Sequence, residues 1–176
     1  MSPPGEFQER VAGARIENIR NKGKWIVTEL HNGESILLSL GMGADILYFD
    51  DEENLPDKYQ VKVAFTDGSG YTARFWWFGK FLLVSDDELE SEPNTKDIAI
   101  DPFDGRFTLD YFSSLLKGKR TQVKAFLMNQ RNVSSIGNMY MRDILFKARL
   151  HPQKKSKNTE TSTKLRLSIY MRVLAG

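Results

Sequence analysis

Residues suited to holding a phosphate gather in the second half of this sequence. Gly137-Asn138 opens an apolar-periodic run, and Lys124, Arg131, Arg142 and Lys147 surround it. Asn is a good helix N-cap, and the free amides of a first helical turn, at the positive end of the helix dipole, form an anion site. From the dipeptide alone, a plain capped helix in a helical hairpin is the slightly better account; the four cations shift the balance toward phosphate. In the first half, Lys24 follows Gly23 at the head of an alternating run. It reads equally as an exposed strand lysine or as a second phosphate contact.

Other chemistries are poorly supplied. The sequence has no cysteine and two histidines, which excludes disulfides and thiolate metal sites and leaves little for a histidine-based one. No metal or cofactor is expected. No stretch approaches the apolar length of a membrane span, and the opening MSPPGEFQER lacks the hydrophobic core of a signal peptide. The expectation is a soluble, monomeric, cytoplasmic protein, nucleoid-associated in a prokaryote.

The net charge of +2 conceals a division. Residues 117–176 carry 14 Lys+Arg against Asp143 and Glu160, which leaves 11 basic and 21 acidic residues in 1–116. A basic lobe joined to an acidic one points to a polyanionic partner, most often nucleic acid.

These residues need elements to position them. The run KWIVTELH (24–31) alternates, with Trp25, Val27 and Glu29 on one face, and Asn32-Gly33 then signals a hairpin into 35–40. A second hairpin has Val61, Val63 and Phe65 on one face, Asp67-Gly68 at the turn and a return over 71–84. Short strands with tight turns argue for an antiparallel sandwich or barrel. After the acidic, turn-rich stretch at 86–97 the period becomes helical. Thr108 can cap a helix carrying Leu109, Phe112, Leu115 and Leu116, with Gly118 at its stop. Further helices are expected at about 121–129, 138–150 and 162–174. The reading is α+β: an antiparallel, sandwich-like β-half over 1–85, an acidic linker over 86–105 and a basic helical domain over 106–176.

Four pieces of the helical half come in a fixed order: Lys124 to Gln130 (KAFLMNQ), Ile136 to Tyr140 (IGNMY), Asp143 to Phe146 (DILF), and Leu150-His151-Pro152. Together they resemble the helix–two-turn–helix of the formamidopyrimidine-DNA glycosylase/endonuclease VIII family, with its "K-x-x-L-x-D-Q", "G-x-G-N-x-Y", "E-x-L-F" and "H-P". Asn129, Ser135 and Asp143 depart from it. In the β-half, Lys22-Gly23-Lys24-Trp25 resembles the family's "R-G-K-Y-L-L" strand, and Leu40-Gly41-Met42-Gly43 its "H-L-G-M-S-G". Trp76-Trp77-Phe78-Gly79 aligns with "R-R-F-G".

The resemblance implies roles. Lys24 and Asn138, with Lys124 and Arg131, would bind phosphates around a damaged or abasic nucleotide in duplex DNA. Met42 and Phe78 would enter the base stack, where a plug offsets the cost of unstacking. Ser39 stands where the family has His. Trp77 stands where the family has the Arg that probes the opposite base. The two adjacent tryptophans could stack on bases or pack on opposite faces of the sheet, and packing is expected for one of them.

The family reaction is base excision followed by abasic-site cleavage, with an N-terminal proline amine as nucleophile and a nearby Glu. Here Pro3 and Pro4 are internal amides, no catalytic residue is identifiable, and the family's first helix and strands are expected to be absent before Lys24. The same expectation covers the zinc finger beyond Leu174. The resemblance then spans about 13–174. It implies a DNA-binding repair protein, inactive or weak as a glycosylase in this chain. The alternatives are a non-catalytic nucleic-acid-binding module and a protein-interaction domain with an incidental basic face.

Overall fold

A computed structural model describes residues 4–174 and separates into two units, Met1–Lys96 and Asp97–Gly176. The expectation about Pro3 lies outside the described residues. The first unit opens with helix α1 (Pro4–Val11), followed by strands β1 (Ile16–Lys22), β2 (Trp25–Leu30), β3 (Glu34–Ser39), β4 (Ala44–Phe49), β5 (Val61–Ala64), β6 (Gly70–Phe75) and β7 (Lys80–Ser85). They form two antiparallel sheets, ordered β1-β2-β3-β7 and β4-β6-β5.

Both hairpin turns lie where the Asn-Gly and Asp-Gly pairs put them. Gly33 and Gly68 have φ of 79° and 88°, which an L side chain adopts only under strain. Asp67 also accepts from the Ser69 amide and hydroxyl at 3.0 and 2.7 Å, and these bonds hold its carboxyl below the usual range.

Register then sorts the side chains. Leu37 pairs with Leu82 and Leu38 with Phe81, so the two pairs face opposite ways. On one face Val27, Leu37 and Val84 bury against Leu89 of the short helix α2 (Asp86–Leu89), with Trp25 and Leu82 at the margin. On the other face Phe7 of α1 stacks on Phe81 at 5.2 Å, and Arg10 reaches Glu34 at 2.6 Å.

Three findings depart from the sequence reading. α1 and β1 occupy the stretch before Lys24, where no helix or strand was expected; β1 is mostly exposed and has no apolar alternation to announce it. The return run at 71–84 is two strands in different sheets, broken at residues 76–79. The segment 86–105 is divided, its first part forming α2 and burying Leu89 in the first unit.

The second unit contains α3 (Leu109–Leu116), α4 (Val123–Met128), α5 (Asn138–Lys147) and α6 (Thr161–Leu174). Thr108 caps α3 as expected, its hydroxyl accepting from the Tyr111 amide at 3.1 Å. Phe112 is fully buried, 5.8 Å from the Phe107 ring and 6.3 Å from Phe126, and Leu127, Ile136, Met141, Ile144 and Leu167 complete the core around them. An antiparallel β-half followed by helices is the expected α+β class. Among the described residues no helix is long and apolar enough to cross a membrane.

Candidate nucleic-acid interface

Three sequence-selected residues of the first unit meet at one end of the four-stranded sheet. Lys22 pairs with Trp25, so Gly23-Lys24 is a two-residue turn, and the φ of 61° at Gly23 fits a type II′ hairpin. Lys24 therefore sits at a hairpin tip and not within the strand, a correction to the sequence reading. It is exposed and has no ion-pair partner among the described residues. Desolvation by nearby protein lowers its ammonium pKa. Its charge is free for an external anion.

Trp25 pairs with Ser39, and Ser39 with Lys80. The Lys24 tip, the 40–43 turn and the 76–79 turn thus share that sheet end. Backbone bonds join the two turns: the Met42 amide donates to the Trp77 carbonyl at 2.8 Å, and the Trp76 amide to the Gly43 carbonyl at 3.1 Å. A Cβ on Gly41 would lie 2.1 Å from the Trp77 oxygen, at a φ of 61°, so only glycine allows the approach. Met42 and Phe78 project from this pair of turns, 64% and 78% exposed. Phe78 itself has a φ of 59°, the left-handed region where a bulky side chain is strained.

The two tryptophans correct another expectation. Neither lies in a strand, and both are exposed, Trp76 by 52% and Trp77 by 63%. Trp76 lies against Gly43, whose added Cβ would sit 3.6 Å from the indole, and the Arg74 guanidinium stands 4.9 Å over its ring.

In the second unit, the turn over 129–137 hangs on one side chain. Gln130 donates to the carbonyls of Met128 and Ile136 at 3.3 and 3.0 Å and accepts from the Ser135 amide at 3.0 Å. Asn132 adds a bond to the Phe126 carbonyl at 3.1 Å. Ser135 has a φ of 67°, and its hydroxyl donates to Asp101. Gln130 ends the KAFLMNQ run, and its place there does not by itself assign it this role. Its signal was a large polar amide beside buried Val133 and Ile136, where backbone groups need partners.

The N-cap of α5 is Gly137, with extended backbone and no side-chain cap; Asn138 is the first helical residue. That corrects the reading of Asn138 as the cap. The first amide to bond back is that of Met141, to the Gly137 carbonyl at 2.9 Å. The amides of Asn138, Met139 and Tyr140 are thus left without intrahelical partners, and all three residues are exposed. Lys124 is exposed on α4, whereas Arg131 pairs with Asp97 at 2.9 Å. That pair is surface-exposed and contributes at most about 1 kcal/mol.

A two-part chain of this kind, antiparallel sheets with aromatic turns at one end and a helical unit with a Gln-braced turn, has clear relatives. The profile of the Formamidopyrimidine-DNA glycosylase N-terminal domain matches residues 1–82, and that of the Formamidopyrimidine-DNA glycosylase H2TH domain matches residues 98–174. The first match begins at residue 1, earlier than the motifs alone indicated. A formamidopyrimidine-DNA glycosylase of Cereibacter sphaeroides is 32% identical over 161 residues, covering 85% of this chain and 56% of the relative. One from a Wolbachia of Brugia malayi is 34% identical over 143 residues, covering 81% and 52%. The chain thus spans a little over half the length of these relatives.

The Lactococcus lactis formamidopyrimidine-DNA glycosylase, solved with DNA containing an AP site, superposes with a TM-score of 0.88 at 22% identity, covering 97% of this chain and 66% of that one. The same enzyme with DNA containing Fapy-dG gives the same score. The chain belongs to the formamidopyrimidine-DNA glycosylase/endonuclease VIII family.

Proposed function

We propose that this chain is a base-excision repair protein of its family that binds duplex DNA, as a monomer, at a damaged or abasic nucleotide. The observation that carries the reading is the meeting of Lys24, Met42 and Phe78 at one sheet end, on turns locked together by backbone bonds. Lys24 supplies an unpaired charge for a phosphate. Met42 and Phe78 supply apolar side chains, held out from the protein, that can replace a displaced base in the stack. In the helical unit, the open amides at the start of α5 and the Asn138 side chain take a second phosphate, and Lys124 and Arg131 of the same unit contact further phosphates. Arg131 would exchange Asp97 for such a phosphate.

The roles assigned to these side chains are grips on phosphates and bases, not attack on the sugar. Borohydride trapping on abasic DNA is accordingly expected to give little covalent capture.

The test is equilibrium binding to matched duplexes with and without one abasic site, across a salt series. At least tenfold preference for the abasic duplex is expected. Asn138→Ala should weaken binding by about tenfold, the loss of one charge-assisted hydrogen bond. Lys24→Ala should reduce the slope of log K against log salt by about one. Equal affinity for both duplexes would sink the lesion reading and leave a non-catalytic nucleic-acid module, which the basic balance of residues 117–176 also fits.

A further inference from the structure

We propose that Trp77, an exposed indole on a backbone-locked turn next to Trp76 and near Arg74 in the chain, is a stacking platform for an unpaired nucleobase, so that the first unit also holds single-stranded DNA without regard to base identity. The inference stands apart from the lesion-binding reading, since it assigns side chains that reading leaves without a role.

The two indoles differ in how they are held. Trp76 is fixed on both sides, by Gly43 along one edge and by the Arg74 guanidinium 4.9 Å over the ring. Among the described residues Trp77 has no ring partner, and neither indole N–H has a hydrogen-bond acceptor. A large ring 63% exposed to water is unusual outside a binding surface.

The backbone beneath this ring is rigid. The Trp77 carbonyl accepts from Met42, and residues 76 and 43 are bonded. Cβ atoms on Gly41 or Gly79 would strike the Trp77 oxygen at 2.1 Å or the Phe75 ring at 2.3 Å. The ring is presented on a fixed frame, so little backbone freedom is lost when a flat ligand settles on it.

The chemistry of this surface selects the ligand. An indole face with cations nearby suits a flat, electron-rich ring carried on a polyanion. Arg74 stands over Trp76, and Lys24 and Lys80 lie at the same sheet end. Asp45, opposite Arg74 across β4 and β6, makes no ion pair with it among the described residues. Stacking on an indole needs only the face of a base, which every base has, so the site discriminates weakly among sequences.

The test is titration of the full chain with single-stranded oligo-dT and oligo-dA of about a dozen nucleotides, a length matched to common single-strand sites. Anisotropy reports affinity and indole emission reports stacking. Both oligonucleotides should bind within about threefold of each other and quench the emission. Trp77→Ala should lose about tenfold in affinity, the lower part of the range for one stacked base, with an unchanged salt slope. Trp77→Phe should keep most of the affinity and lose most of the quenching. Unchanged affinity in Trp77→Ala, or binding without quenching, would overturn the platform. Preference for abasic over intact duplex, which decides the other reading, can be present or absent without altering these outcomes.

Discussion

The two units treat their aromatic residues in opposite ways. In the helical unit Phe107, Phe112 and Phe126 lie at the centre of the core, ring against ring. In the β-unit only Phe49 is buried among the described aromatics, and Trp76, Trp77 and Phe78 stand in water on a turn. Side-chain packing makes the first arrangement rigid; backbone hydrogen bonds and close glycine approaches do so for the second. Aromatics freed from the core can meet a ligand, but only if the main chain alone keeps them in place.

The sharpest way to break the comparison is Phe112→Ala. Removing a fully buried ring from between two others is expected to cost about 3–5 kcal/mol, because the neighbours cannot collapse into the space. Urea unfolding followed by far-ultraviolet circular dichroism should show an earlier helical transition. Indole emission should keep its midpoint, since all three tryptophans, Trp25, Trp76 and Trp77, belong to the β-unit. A matching shift in both signals would show that the units do not hold their shapes independently.

Gly41→Ala tests the backbone side of the contrast. The new Cβ would meet the Trp77 oxygen at 2.1 Å in a left-handed conformation, so the two turns must separate. The expected cost is about 2 kcal/mol, from left-handed strain plus the broken contact. Here the indole signal should move and the helical signal stay. Affinity for DNA should fall further than stability does, because Met42, Phe78 and Trp77 lose their common frame. Unaltered indole emission and binding in this variant would show that packing, not main chain, orients the aromatic turns.

What the sequence disclosed follows the same division. Signals carried by single residues were legible: Asn32-Gly33 and Asp67-Gly68 for the hairpins, Thr108 for its cap, and the order of motif residues around Gln130 and Asn138. Signals that depend on tertiary context were not. β1 is polar and largely exposed, so its pairing with β2 leaves no pattern to read. The stretch FWWFGKFLLV is apolar almost throughout, so nothing in its periodicity marks where the chain leaves β6 and enters β7 in the other sheet. That switch rests on the left-handed backbone at Phe78 and the close approach at Gly79, features of conformation and not of composition. The tryptophans were misjudged for the same reason: in a strand one of them would have packed, but on a turn neither does. Gly137 and Asn138 are both favourable caps, and the choice between them came from the turn that Gln130 braces.

The smallest predicted effect isolates strain in the helical unit. Gly41 takes up a left-handed residue in the β-unit with a glycine, whereas Ser135 holds φ of 67° with a side chain attached. Its hydroxyl bond to Asp101 offsets that strain. Ser135→Ala removes the bond and keeps the strain, and should cost about 1–2 kcal/mol for a hydrogen bond to a charged group. Ser135→Gly removes both and should lie about 1 kcal/mol above the alanine variant, the usual difference at a left-handed position. Both shifts should appear in the far-ultraviolet transition and neither in the indole signal. If alanine and glycine prove equal, the turn is set by Gln130 and its bonds to the 128 and 136 carbonyls with no penalty at 135. If glycine proves more stable than serine itself, the serine is retained at a cost to stability, and the Asp101 contact that it makes becomes the reason to examine DNA affinity in the same pair of variants.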